Sequence, residues 1–137
     1  MEKLYIKPRK DSPEVILDPV SHNFSIIGVS HPENVTQFYE PVMGWLSKYL
    51  EEIKSSPAII GKEIHFRMFF KYVNSATYKY LINLMQLINE YIIVGIKVSF
   101  IWNYEPEDDD MKEAGYELME YSGTKSNYTI EACYDPI

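Results

Sequence analysis

Residues 64–72 read Ile-His-Phe-Arg-Met-Phe-Phe-Lys-Tyr, and this stretch decides the fold. Apolar residues alternate there with mostly polar ones, a period of two that is typical of a strand with one buried face. The alternation turns five side chains toward the core: Ile64, Phe66, Met68, Phe70 and Tyr72. A shift of one residue in the register would turn all five to the other face.

The same alternation returns twice toward the C-terminus, at residues 96–104 and, more briefly, at 128–134. In the first of these strands the expected core positions are Ile96, Val98, Phe100, Trp102 and Tyr104. Between the two long strands, residues 75–92 carry apolar positions at helical spacing, and Gly95 can end that helix. A strand, a crossover helix and a second strand predict a right-handed parallel unit.

The N-terminal half is predicted from shorter signals. Residues 1–13 are expected to form an irregular lead-in, followed by a hairpin of Glu14–Leu17 and Phe24–Val29. An apolar stripe from Phe38 to Ile53 predicts an amphipathic helix that ends before Pro57. A shorter acidic helix is expected at about residues 108–121. Together these elements predict one α/β domain over residues 1–137, with a mixed four- to five-stranded sheet and helices mainly on one face.

Composition excludes several classes of function. Thirteen basic against twenty acidic residues give a net charge of −7, which disfavours nucleic-acid binding. The lone cysteine, Cys133, excludes an internal disulfide framework, and the first residues lack a long apolar segment. The three histidines are scattered, and neither metal-ligand spacing nor a phosphate-binding glycine loop is present. We therefore expect a cytoplasmic protein with no cofactor, no metal, no membrane insertion and no enzymatic activity.

Two features of the sequence could form a surface that binds a partner. The run Glu105–Asp110 favours a solvated helix start, since carboxylates stabilise the positive end of a helix, but a cation or partner site remains the alternative. Its candidate partner contacts are Glu107, Asp108 and Asp109. On the mostly polar sheet face, Phe69 and Ile101 form apolar islands. That face either meets water or docks a partner.

The segment Asn74–Thr77 lies where the first long strand gives way to its crossover helix. Asn74 is a good N-cap, which places Ser75 and Thr77 in the first helical turn. A phosphate there would meet unsatisfied N–H groups and the positive end of the helix dipole. The alternative is that both hydroxyl residues merely decorate a capped helix start.

The order of several short motifs resembles a known family. His31–Asn34 with Trp45, then Tyr72–Thr77, then Trp102–Tyr104 before an acidic run are similar to the SiaC family. That resemblance covers almost the whole chain. It implies a two-layer fold like the STAS domains of anti-anti-sigma factors.

The resemblance also implies a function in bacterial cyclic di-GMP signalling. In that family the hydroxyl residue after the Asn is phosphorylated by a dedicated kinase and restored by a PP2C-like phosphatase. The unphosphorylated form binds and activates a diguanylate cyclase. By position the acceptor is Ser75, with Asn74 supporting the switch. The family commonly has a run of three hydroxyl residues after the Asn, whereas this chain has Ser75, Ala76 and Thr77, and Thr77 is the fallback acceptor.

Two other classes of function stay open at this point. One is a small acidic metal- or ligand-binding enzyme that uses the Asp108 region, which requires a concave site joining carboxylates to a histidine. The other is a structural subunit that pairs through the polar sheet face.

Overall fold

The computed structural model describes residues 1–56 and 61–134. Along the chain these residues form six strands and three helices: β1 (Leu4–Ile6), β2 (Glu14–Leu17), β3 (Asn23–Ser30), α1 (Val35–Ser55), β4 (Glu63–Val73), α2 (Ser75–Ile93), β5 (Lys97–Tyr104), α3 (Asp109–Ser122) and β6 (Asn127–Ala132).

The strands form one mixed sheet in chain order, from β1 to β6. Strands β1, β2 and β3 pair antiparallel, and β3 to β6 pair parallel. The three crossovers advance in the same direction across the sheet. Because such crossovers are right-handed, all three helices lie on one face. The mixed α/β sheet is thus confirmed, with one more strand than expected.

The additional strand is β1, within the lead-in that was expected to be irregular. That expectation is wrong for Leu4–Ile6, which pair with β2. Leu4 lies opposite Leu17, and Ile6 lies opposite Val15. Three residues are too few to show a period, so the sequence pattern did not reveal this strand. The predicted hairpin is confirmed as β2 and β3.

Each helix begins at a side-chain cap. Asn34 accepts a hydrogen bond from the Gln37 N–H at the start of α1, and Pro41 lies inside that helix. Helix α1 ends at Ser55, consistent with the predicted end, although Pro57 itself lies outside the described residues. Helix α3 ends at Ser122 and is capped by Gly123, whose positive φ of 61° is the left-handed conformation that glycine adopts readily.

The core lies between the helices and one sheet face. Nine of the ten side chains predicted to face the core from the two long strand segments are buried there, which confirms the register: Ile64, Phe66, Met68, Phe70, Ile96, Val98, Phe100, Trp102 and Tyr104. Aromatic rings of neighbouring strands meet in this layer, for example Phe66 and Phe100 with centroids 5.5 Å apart. Within the described residues, no helix is long and apolar enough to cross a bilayer.

The remaining side chain, Tyr72, departs from the prediction. Pairing between β3 and β4 jumps from Gly28 opposite Phe70 to Val29 opposite Tyr72, so β4 carries one extra residue at this point. Such a bulge reverses the alternation that follows it. Tyr72 therefore lies 52% exposed on the other face, where its ring contacts His31.

The interpretation of Phe69 as an exposed apolar island is also wrong. Phe69 faces away from the helices, yet its side chain is 0% exposed. The Arg67 guanidinium lies 5.8 Å from its ring centroid, and Arg67 Nε donates a 2.7 Å hydrogen bond to Asn103 Oδ1. The sheet face that sequence alternation presented as open is thus partly covered by its own long polar side chains.

Candidate functional site at the start of the crossover helix

Ser75 is the first residue of α2, at the corner where β4 ends. Asn74 caps the helix as predicted, since its Oδ1 accepts a 2.8 Å hydrogen bond from the Thr77 N–H. The backbone N–H of Asn74 in turn donates to the carbonyl oxygen of Ser30 at 3.0 Å. These bonds fix the backbone on both sides of Ser75, whose side chain is exposed.

Thr77 does not share that exposure. Its side chain is 0% exposed, and its hydroxyl oxygen lies 2.9 Å from Ser30 Oγ and 3.2 Å from the Ser30 carbonyl oxygen. An enzyme could reach this hydroxyl only after the first turn of α2 had opened. The structure therefore does not support Thr77 as the fallback acceptor.

An open groove of about 680 Å³ runs from Ser75 between α2 and α3. We call it the α2–α3 groove. Its apolar lining includes Val73, Tyr78, Ile82, Trp102, Met111 and Ala114. Lys79 lines it from α2, and three carboxylates line it from the side of α3: Asp108, Asp110 and Glu117.

Two aromatic groups join the sides of the α2–α3 groove. Tyr78 of α2 donates a 3.0 Å hydrogen bond from its hydroxyl to the Ala114 carbonyl oxygen of α3. Burial, and after it the nearby carboxylate of Glu117, raises the pKa of Tyr78 to about 12, so the hydroxyl stays a donor at neutral pH. Trp102 of β5 donates from Nε1 to the Met111 carbonyl oxygen at 2.9 Å. Both bonds end on α3, so these side-chain donors hold α3 against α2 and against the sheet.

The acidic run is a helix start, as predicted. Asp108 caps α3 by accepting a 3.0 Å hydrogen bond from the Met111 N–H, and Asp109 and Asp110 occupy the first turn. No group of three or more potential metal-ligating side chains occurs within residues 1–56 and 61–134. Among the described groove residues none is a histidine, so the carboxylate–histidine site that the enzyme alternative requires is not assembled there.

The structure brings together only some of the predicted site residues. Ser75, Asn74 and Asp108 line the same groove. Glu107 and Asp109 are exposed but do not line it, and Ile101 lies half-buried on the opposite sheet face. The predicted contacts thus belong to separate surfaces, of which only the Asp108 region adjoins Ser75.

Several groove residues were missed by sequence reasoning, although helical spacing carries a signal for them. On α2, Ser75, Tyr78 and Ile82 follow a spacing of three and four residues, which places them on one helix face. On α3, Asp110, Ala114, Glu117 and Tyr121 do the same. The spacing could have identified each face, but the pairing of the two faces depends on how the helices pack on the sheet.

Comparison with known proteins places this architecture in a family. The profile of the SiaC family regulatory phosphoproteins matches residues 6–129. An uncharacterized protein of Pseudomonas aeruginosa (strain UCBPP-PA14) is 24% identical over 120 residues, covering 88% of this chain and 90% of that protein.

Two solved structures share the fold. The crystal structure of apo-SiaC from Pseudomonas aeruginosa has a TM-score of 0.81 at 23% identity and covers 96% of this chain and 100% of its own. A chain in the crystal structure of the diguanylate cyclase SiaD in complex with its activator SiaC, from the same organism, has a TM-score of 0.81 at 22% identity and covers 95% and 99%. With the family profile matched over most of its length, the chain belongs to the SiaC family of regulatory phosphoproteins.

Proposed function

We propose that this chain is a binding protein whose affinity for an effector is switched by phosphate on Ser75. The observation that carries the proposal is the position of Ser75, exposed on the first turn of α2 and at the edge of the α2–α3 groove. A dedicated kinase adds the phosphate, and a PP2C-like phosphatase removes it. The unphosphorylated form binds and activates the effector.

A phosphate at Ser75 is compatible with the folded state. The first turn of a helix carries N–H groups without intrahelical partners, and its dipole favours negative charge. Helix α2 has no acidic residue in its first turn, so no carboxylate of that turn opposes the phosphate. The modification therefore changes the surface rather than the fold.

Charge is what the modification changes most. A phosphoserine carries about −1.5 to −2 charges at neutral pH. The α2–α3 groove already contains the carboxylates of Asp108, Asp110 and Glu117. A further dianion at its edge alters both the shape and the potential that an effector meets, which is sufficient to exclude a partner that binds the unmodified groove.

For the effector we propose a diguanylate cyclase. The support is the solved complex of the diguanylate cyclase SiaD with its activator SiaC. One chain of that complex shares the fold of this protein. In this proposal the chain acts in the cytoplasm as a single domain, and it works by binding its effector and not by catalysis.

The test uses Ser75→Ala and Ser75→Asp, with Ser47→Ala as the matched control because Ser47 is an exposed helical serine of α1. Intact-mass spectrometry after treatment with the cognate kinase measures phosphate incorporation. Titration against the candidate cyclase measures binding. We expect Ser75→Ala to take up no phosphate and to bind constitutively, Ser75→Asp to bind more weakly, and Ser47→Ala to match the wild type.

Two outcomes would contradict the proposal in different ways. If Ser75→Ala still gains phosphate and the added mass maps to Thr77, the acceptor is wrong and the switch stands. If neither Ser75 variant changes phosphate uptake or binding, the switch itself is wrong.

A further inference from the structure

A chain of three buried hydroxyl groups lies directly beneath the first turn of α2. It joins Tyr39 of α1, Ser30 at the end of β3 and Thr77 of α2, and all three side chains are 0% exposed. Tyr39 Oη lies 2.8 Å from Ser30 Oγ, which lies 2.9 Å from Thr77 Oγ1. Three elements from separate parts of the chain therefore meet under Ser75.

The direction of these hydrogen bonds follows from counting protons. Each hydroxyl group has one proton to donate. Thr77 donates its proton to the Ser30 carbonyl oxygen, the only role open to it in that contact. With that proton on the carbonyl oxygen, the arrangement that satisfies all three hydroxyl groups has Ser30 Oγ donating to Thr77 Oγ1 and Tyr39 donating to Ser30 Oγ. Burial raises the pKa of Tyr39 above its usual range, which keeps Tyr39 a donor.

The same Ser30 carbonyl oxygen also accepts the N–H of Asn74. Thus the cap residue before Ser75 and the hydroxyl of Thr77 after it are bound to one oxygen of β3. Asn74 and Thr77 are also bonded to each other, since Asn74 Oδ1 accepts a hydrogen bond from the Thr77 N–H. Ser75 is an exposed residue of a turn whose two flanks are tied to a single point of the sheet.

We infer that Thr77, Ser30 and Tyr39 are positioning residues, which hold the first turn of α2 in the conformation in which Ser75 is presented to its kinase. This inference rests on the proposed phosphorylation of Ser75. The inference also gives a role to Thr77, whose buried hydroxyl is out of reach of an enzyme. This hydroxyl holds the turn that carries Ser75 against the end of β3.

The direction of the hydrogen bonds between the three hydroxyl groups predicts which variant has the largest effect. Thr77→Val keeps the shape of the side chain but leaves the Ser30 hydroxyl proton without its acceptor, and an unsatisfied buried donor is costly. Tyr39→Phe removes only the donor at the outer end, so Ser30 and Thr77 keep their bonds. Thr77→Ser retains the hydroxyl group. We therefore expect the largest effect from Thr77→Val, a smaller one from Tyr39→Phe and the smallest from Thr77→Ser.

Tyr91→Phe is the matched control. Tyr91 is also 0% exposed and donates its hydroxyl proton to a backbone carbonyl, that of Leu46, but it lies toward the other end of α2. Losing this bond lowers stability without touching the first turn. A general effect of lower stability on phosphorylation would therefore appear in Tyr91→Phe as well.

The experiment measures kcat/KM for phosphate transfer to Ser75 by the cognate kinase, well below the melting temperature of every variant. We expect Thr77→Val to lower it roughly fivefold, the factor that one net hydrogen bond represents. Thr77→Ser should restore most of the rate, and Tyr91→Phe should leave it unchanged. If Thr77→Val fails to fold, Tyr39→Phe carries the comparison with Tyr91→Phe. Equal rates for that pair, or for Thr77→Val and wild type, overturn the inference.

Amide hydrogen exchange separates this inference from the proposed function. The amides of Thr77 and Tyr78, both bonded to Asn74, should exchange faster in Thr77→Val than in Tyr91→Phe, because only the former opens the first turn. If the wild type takes up no phosphate, the proposed function is wrong and the kinetic role falls with it. Equal exchange in the two variants would overturn the anchoring role even where Ser75 is phosphorylated.

Discussion

Gly115 of α3 lies against the indole ring of Trp102, so close that a Cβ atom on Gly115 would stand 2.4 Å from Trp102 Cδ1. Trp102 is fully buried on β5 and donates its indole proton to Met111, one turn earlier on the same helix. The absent side chain of Gly115 is thus what lets α3 approach the sheet and form its side of the α2–α3 groove.

We expect Gly115→Ala to destabilise the fold, although alanine is the better helix former by about 1 kcal/mol. The new methyl group must displace a buried ring, and such overpacking costs about 1–3 kcal/mol. Urea denaturation measures the loss. Gly44→Ala in α1 is the control, because nothing lies within 4 Å of its added Cβ. A Gly115→Ala variant as stable as Gly44→Ala would contradict the packing.

The two caps beside the groove should contribute equally to stability and unequally to function. Asn74→Ala and Asp108→Ala each remove a side-chain acceptor from the third N–H of a helix, of α2 and α3 respectively. We expect each to cost about 1 kcal/mol. Only Asn74→Ala loosens the turn that carries Ser75, so only this variant should slow phosphate uptake. Equal slowing in both variants would show that the effect is one of general stability.

The bulge in β4 predicts opposite results for two aromatic side chains on the same sheet face. Phe69→Ala should cost about 3–5 kcal/mol, since its ring is fully buried. Tyr72→Ala should cost about 1 kcal/mol or less, since half of its side chain is exposed. Thermal and urea denaturation of both variants test the register. A small loss for Phe69→Ala together with a large one for Tyr72→Ala would place the bulge elsewhere.

His22 should make stability depend on pH. Burial, with the charge of Lys62 as a second cause, lowers the pKa of His22 from its ordinary value of 6.5. The unfolded chain then binds this proton at a higher pH than the folded chain does. The free energy of unfolding should consequently level off above about pH 6.5 and fall as the pH drops through the window below it.

His22→Asn is the variant that tests this dependence, because Asn tolerates the positive φ of 61° at this position. It also removes the 2.7 Å hydrogen bond between His22 Nε2 and Tyr49 Oη, so its stability should be lower throughout. The urea midpoint is measured between about pH 5 and pH 8. As the pH falls below about 6.5, we expect the wild type to lose more stability than the variant does. A parallel loss in both proteins would show that His22 does not carry the effect.

Divalent cations should have almost no effect on stability. The carboxylates of Asp108, Asp109 and Asp110 act as the cap and first turn of α3, and the described residues assemble no cluster able to hold a metal. Calcium or magnesium at millimolar concentration should therefore leave the melting temperature nearly unchanged. A rise of several degrees would indicate preferential binding to the folded state and would return the acidic run to the cation-site alternative.

Local patterns predicted the parts of this molecule that depend on neighbouring residues. The alternation in β4 and β5 identified the buried faces, and Asn74 and Asp108 identified two helix starts. The parts that failed depend on distant residues. The burial of Thr77 is decided by Ser30, 47 positions away, and the exposure of Tyr72 by a bulge against β3. The periodicity of apolar residues within one segment carries no information about contacts with a distant segment.

The strand order has a consequence for synthesis on the ribosome. Each strand from β2 to β6 pairs with the strand made just before it, so each of these strands has one partner that is already translated when it emerges. A nascent chain that has emerged as far as Tyr104 already holds β1 to β5, each paired with at least one neighbour. Folding can thus follow translation one strand at a time, and the hydroxyl of Ser75 can reach its final setting before α3 has been made.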